Sequence, residues 1–295
     1  MSFTRTNSGM SNLALFYSSE VIIYTEGGNK SFSTEEVEQG QYNNKSTDIK
    51  FWSAIFENST FNKKVHFRAL GSKTASKSIC EKIIAGQINN TIVARDRDLD
   101  GLCPNSELYD SPFILYTKGY SWENDVYVEQ FTTEQIKSML LEQDLPEEIS
   151  ELIRDSYNKY VRIGSRLLKL DLIFRDQNKK FLTEVNGERF FNPKNSAYID
   201  KKQIASFIKQ KKADLTRPVS SEVNLSNICP VMNNYGKLLC SLSLNIINFI
   251  CKKYSDYKSI PKQIIEANMI DRFRLKHQSE AIPYYNELIG KLVSA

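Results

Sequence analysis

The chain has 295 residues, room for one large domain or two smaller ones, and a hydrophobic content of 41%, enough for a proper core. Five scattered cysteines with no Cys-x-x-Cys pair, and only His66 and His277 beside them, argue against a structural zinc site and suit a reducing cytoplasm. The net charge of +4 conceals a division: residues 1–145 carry 14 basic and 19 acidic side chains, net −5, and residues 146–295 carry 25 and 16, net +9.

Residues 1–12 are polar and lack the apolar core of a signal peptide. A strand is predicted over 21–24, ending in Glu26, Gly27 and Gly28. Residues 28–45 are polar, carry Glu35, Glu36 and Glu38, and read as a surface insertion with room for one helical turn. Such a loop is either functional or mobile, or a tolerated excursion. Residues 48–57 read as a helix, with Asp48 as N-cap and Ile49, Trp52 and Phe56 on one face. A strand over 65–70, a helix over 74–85, a strand over 92–94 and another over 113–116 follow. This alternation predicts a mostly parallel sheet flanked by helices, an α/β fold occupying residues 1–132.

From residue 133 onward helices prevail, in a basic region 133–295. They are expected over 146–161, 199–211, 237–253, 262–273 and 283–292. A small β unit is predicted between them, strands 170–174 and 180–185 around the turn signal Arg175-Asp176-Gln177-Asn178. The most apolar stretch, 238–251, is too short to span a bilayer and reads as a buried helix.

The chemistry is concentrated in Ile92-Val93-Ala94-Arg95-Asp96-Arg97-Asp98-Leu99-Asp100-Gly101. A buried strand that stops in Asp-x-Asp-x-Asp-Gly delivers acids to the carboxyl edge of a sheet, where open α/β sheets bind ligands. In an extended chain residues i and i+2 point the same way, so Asp96 and Asp98 would converge, and hard divalent cations prefer such oxygen-rich sites. An EF-hand also fits by count, with Glu107 at its twelfth position, but the preceding strand and Pro104 argue against it. The 21–24 strand repeats the design with Glu26. A third strand runs into Lys118-Gly119-Tyr120-Ser121-Trp122-Glu123-Asn124.

Glu-Gly after a first strand and Asp-x-Asp after a later one resemble a Toprim domain, the metal-binding module of topoisomerases, DnaG-type primases and OLD-family nucleases. The tyrosine followed by Glu-Asn is similar to the DUF4435 branch of Toprim proteins, and the layout to the nuclease effectors of PARIS anti-phage systems. The resemblance is specific over about residues 18 to 130. It departs at one point: relatives place a helix-opening Asp almost directly after Glu-Gly, whereas here the match is Asp48, beyond the 28–45 insertion.

The resemblance implies a metal-dependent nuclease using Mg²⁺ or Mn²⁺. Asp96 and Asp98 would bind metal, Glu26 would bind it through water or act as general base, and Glu123 would complete a second metal position. Asp100 would assist or serve as a turn residue. It further implies a toxic effector that cleaves host tRNA, restrained by an ABC-type ATPase partner and active as a homodimer. Lys118 reads as an exposed strand-end lysine more readily than a phosphate contact. Lys201, Lys202, Lys209, Lys211, Lys212, Arg217, Arg272, Arg274 and Lys276 form clusters suited to nucleic acid or a partner, or to plain solvation. Phe190, Phe191, Tyr198, Phe273, Tyr284 and Tyr285 could stack on bases, but core packing is their more ordinary role. His277 reads as a surface histidine at a basic helix end. No Walker A sequence is present, so any ATP-driven switch would lie in another chain. The other readings are a DNA endonuclease of OLD type, a primase- or topoisomerase-like enzyme, and a non-catalytic Toprim module that docks an ATPase.

Overall fold

A computed structural model describes residues 6–103, 108–215, 228–256, 260–280 and 282–295. The fold is α/β, with an all-parallel four-stranded sheet and a helical region toward the C-terminus. The strands are β1 (Val21–Thr25), β2 (Val65–Ala69), β3 (Thr91–Arg95) and β4 (Ile114–Tyr116), in the order β2-β1-β3-β4. β1 and β3 are buried at every position. Continuous apolar runs of this kind are what a parallel sheet covered on both faces requires.

The chain divides into two compact units, each discontinuous in sequence. The first comprises residues 1–97, 108–118 and 274–295, and the second comprises 98–107 and 119–273.

The sheet belongs to the first unit. Before β1 come the short helices α1 (Asn7–Ser11) and α2 (Leu13–Phe16). The 28–45 insertion is ordered by its own chemistry. Ser33 and Glu36 form a capping box on α3 (Thr34–Glu38), and Phe32 and Val37 are buried in the core. Asn43 bridges Ala69 at the end of β2, and Lys82 pairs with Glu38 at 2.7 Å. The insertion is thus anchored to the carboxyl end of an edge strand. In α4 (Thr47–Glu57) the N-cap is Ser46, whose Oγ accepts from the Ile49 N–H at 3.0 Å, rather than the predicted Asp48. Helix α5 (Lys73–Ile84) buries Ala75, Ile79, Cys80 and Ile83, one face at helical spacing. The last helix of the chain, α12 (Pro283–Val293), places Tyr285 edge-on to Phe51 and Trp52 of α4.

The second unit is helical. It holds α6 (Glu123–Val126), α7 (Glu129–Leu140), α8 (Glu147–Asp176), α9 (Lys201–Lys212) and α10 (Gly236–Tyr254). Helix α11 (Lys262–Glu280) begins in this unit and ends in the first. Helix α10 is buried around most of its circumference and packs on α6, α7 and α8. The predicted small β unit is not formed. Residues 170–174 lie inside α8, and the second predicted strand is a 3₁₀ turn at Leu182–Glu184. The reason is tertiary: Phe174 stacks on Phe181 at 4.9 Å, and Phe207 joins Phe181 and Phe190, so the apolar run is buried as a helix end in an aromatic cluster.

Candidate functional site

In the first unit the strand order reverses between β1 and β3, since the chain goes from β1 outward to β2 and from β3 outward to β4. Open α/β sheets take ligands outside the carboxyl ends of their strands at such a point. Glu26 follows β1 there, and Arg95 and Asp96 end and follow β3. The register pairs Thr25 with Ala94, which brings the next residue of each strand together. Glu26 is buried, 8% exposed, and its Oε1 accepts from Arg95 Nε at 3.3 Å. Arg95 is also buried and donates through Nη1 to Cys80 Sγ at 3.7 Å. Burial pushes the Cys80 thiol up to about 11, so it stays protonated at neutral pH. Burial works against the Arg95 charge, but Cys80, Glu26 and Tyr116 outweigh it and hold the guanidinium above its ordinary range.

A third carboxylate stands at this edge. Asp48, in the first turn of α4, is buried, and a Cβ on Gly27 would run into its carboxylate. Gly27 also has φ +57°, a conformation that favours glycine. The Glu-Gly pair is therefore needed on both counts: the glycine turns the chain and leaves room for Asp48.

Asp96 and Asp98 do not share one extended strand as expected. β3 stops at Arg95, Asp98 has φ +53°, and a turn follows. Arg97, between them, is fixed within the first unit: its Nε donates to Thr117 O at 3.2 Å and its Nη2 to Tyr284 Oη at 2.9 Å. Asp96 belongs to this first unit, whereas Asp98, Asp100 and Glu123 belong to the second.

In the second unit, Leu99 packs with Tyr120, Leu168 and Leu172, and the Asp98 N–H donates to Tyr120 O at 2.6 Å. Arg175 Nη2 donates to Tyr120 Oη at 2.7 Å, and its Nε lies 3.6 Å from Asp171 Oδ2. Burial raises Asp171, with Arg175 opposing and Asp98 adding to the rise. Burial likewise holds the Tyr120 phenol well above its usual range, and Asp98 contributes. Asp171 and Arg175 escape any sequence reading that makes their segment a strand and a turn. Read as helix, their i, i+4 spacing is the signal. Glu123 is buried at the start of α6, where Oε2 accepts from Ser121 Oγ at 2.5 Å. Burial is the chief cause that raises its carboxyl above 4.5, with the Ser121 hydroxyl opposing. A Cβ on Gly236 would run into Ser121 Oγ and come within 3.0 Å of Glu123 Oε2, so the start of α10 closes over this acid. Its neighbour Asn124 donates to Val231 O at 2.6 Å and Asn234 O at 3.0 Å. The Glu-Asn pair thus ties the 231–236 segment to α6.

Of the basic candidates, Lys209 and Lys212 are exposed on α9, while Lys211 pairs with Asp214 at 3.0 Å. Arg272 is engaged with Gln135 and Ser138 of α7, Arg274 lies 3.7 Å from Glu57, and Lys276 pairs with Glu280 at 2.5 Å. Lys118 is exposed. His277 is not a surface histidine. It is buried, its Nδ1 accepts from the Ile282 N–H at 3.0 Å, and burial lowers its basicity. Phe190, Phe191, Phe273 and Tyr285 are core residues. Pro104, Glu107 and Arg217 lie outside the described residues.

As arranged, the acids do not fit a metal centre. Among the described residues no three of His, Cys, Asp and Glu gather closely enough to hold a metal ion, and Glu26 is engaged by an arginine. Among the described residues, no helix is long and apolar enough to cross a membrane. No protein-family profile matches the chain, and no curated protein is significantly similar to it.

Proposed function

We propose that the chain is a nuclease that cleaves phosphodiester bonds in RNA, with its reaction centre at the carboxyl ends of β1 and β3. The observation that carries this reading is the placement of Glu26 and Asp96 after the two strands that flank the reversal of a parallel sheet. Glu26 and Asp96 are the catalytic residues of this reading, and Mg²⁺ or Mn²⁺ is the cation that the resemblance to Toprim nucleases implies. The sequence resemblance to AriB, the effector of PARIS systems, supports tRNA as substrate and an ABC-type ATPase as restraint.

Purified chain incubated with tRNA and with duplex DNA tests it. Cleavage of tRNA is expected with Mg²⁺ or Mn²⁺ and none with EDTA. Glu26→Ala and Asp96→Ala should each lower the rate at least about a hundredfold, a loss ordinary for a group acting on the reacting atoms. Full activity in both variants would end the proposal, and cuts confined to DNA would move it to the OLD-type endonuclease. A second reading, a non-catalytic module that docks the ATPase, is favoured by the Glu26–Arg95 pair, which already neutralises the central acid. An intact complex with the ATPase, and no cleavage under any metal, would support that reading.

A further inference from the structure

Helix α10 is buried around most of its circumference, yet it carries a polar stripe. Ser241, Leu244, Asn245 and Asn248 recur at helical spacing and so share a face. That face borders a cavity of about 420 Å³ within the second unit, lined further by Phe191, Pro193 and the Glu188–Lys262 ion pair of 2.9 Å. Small-molecule pockets are usually roughly 300 to 1,000 Å³, so the space suits a guest the size of a nucleoside. The donors of the stripe are engaged by backbone. Ser241 Oγ donates to Lys237 O at 2.7 Å, Asn245 Nδ2 to Ser196 O at 3.0 Å and Asn248 Nδ2 to Leu244 O at 2.8 Å. What the stripe has left to offer is chiefly acceptor oxygen. Asn245 is the decisive case. It is 3% exposed, and among the described residues its Oδ1 has no hydrogen-bond partner. A buried acceptor left unpaired costs free energy, and such a group in a native fold calls for a partner. A guest with an N–H group supplies one.

We propose that this cavity takes one nucleobase bearing an exocyclic amine, with the amine donating to Asn245 Oδ1 and the ring packed against Phe191 and Pro193. Unstacked bases are held in this way, on aromatic and apolar walls with hydrogen bonds to their edges. A cationic amine fits less well. Glu188 is the only acid among the described lining residues, and Lys262 already neutralises it. The proposal rests on the RNA reading for the origin of the base and names what the chain recognises in its substrate.

The test is NMR titration of the full chain with adenosine and with purine riboside, which differ only in the exocyclic amine. Adenosine should bind wild type at least about tenfold tighter, since a site built to pair a polar group rejects the analogue that lacks it. Asn245→Leu, which keeps the volume and removes the acceptor, should bind both nucleosides alike. Should that variant not fold, wild type decides: adenosine, and not purine riboside, must shift the side-chain amide signal of Asn245. Displacement of adenosine by a short oligoadenylate identifies RNA as the source of the base. Adenosine that stays bound identifies a free nucleotide, and either result keeps the amino-base site. Equal affinities in wild type, discrimination that survives in Asn245→Leu, or no binding of either nucleoside overturns the proposal. A chain that cuts tRNA yet gives one of those results keeps the nuclease reading. A chain that discriminates through Asn245 yet leaves RNA whole keeps the base site and loses the nuclease reading.

Discussion

Glu123 shows how one residue can look catalytic in sequence and be held by other forces in the fold. Its carboxyl is buried under the start of α10 and is raised above 4.5, chiefly by burial. The native state therefore keeps its proton at pH values where the unfolded chain has released it. The contribution of Glu123 to stability therefore falls as pH rises from 4.5 toward the folded value, because there this group binds more protons in the folded state than in the unfolded one. Glu123→Gln abolishes that titration while its amide oxygen still accepts from Ser121. Thermal melts at about pH 4 and about pH 7.5 should show the variant gaining on wild type at the higher pH. An identical difference at both pH values would remove the buried-acid account. At the sheet edge the decisive residue is Gly27, with φ +57° and the Asp48 carboxylate where a Cβ would sit. Gly27→Ala should cost about 1–3 kcal/mol in denaturant unfolding, from backbone strain and displacement of Asp48. An unchanged midpoint would mean that Asp48 can move aside freely.

At the level of elements, the sheet was legible because its strands are short apolar runs, buried at every position in β1, β3 and β4, that end near glycine or acid, a pattern a helix rarely produces. Glu26 and Asp96 were legible for the same reason, since a residue just after a parallel strand must sit at the carboxyl edge. Arg95 was not, because it reads as the end of an apolar run and only the β1–β3 register reveals its partner. The extended chain assumed through Asp98 failed, because β3 ends at Arg95 and the backbone at Asp98 is left-handed. The strand predicted over 170–174 failed because five apolar residues with one acid fit either element, and the deciding contacts, Phe174 with Phe181 and Phe181 with Phe207, are made outside the segment. Helix α9 tests the binding proposal. Ile204, Phe207 and Ile208 are buried, and Lys201, Lys202, Lys209 and Lys212 are exposed beside Gln203, Ala205, Ser206 and Gln210. Reversing Lys209, Lys211 and Lys212 to Glu should weaken tRNA binding and flatten its dependence on salt, since every phosphate no longer neutralised keeps about one counterion that binding would have released. Most of that effect should come from Lys209 and Lys212, as Lys211 already pairs with Asp214. Unchanged affinity and slope would make α9 a solvated face.

For the whole molecule, the charge division seen along the sequence does not follow the compact units. The first unit carries 16 basic and 12 acidic side chains and the second 23 of each, so the net charges are +4 and 0 rather than −5 and +9. The change comes chiefly from residues 119–145 and 98–107, net −5 and −3, which belong to the helical unit, and to a smaller extent from residues 274–295, net +1, which belong to the sheet unit. No unit is a basic platform as a whole, so steering of a polyanion has to come from local clusters, and a restraining partner need not be strongly acidic. An RNase of the proposed kind, acting on host tRNA, would require restraint, and this sequence has no Walker A motif to supply an energy-driven one. The chain is therefore expected to be silent in complex with an ABC-type ATPase and to act after release, as a homodimer. Expression with and without the neighbouring ATPase gene, followed by sequencing of cleaved RNA ends and by sizing of the released protein, checks all three parts. Discrete cuts in tRNA only after the trigger, from a species of twice the chain mass, are the expected result. Equal cutting with the ATPase present and untriggered would remove the restraint, and an active species of single-chain mass would remove the dimer.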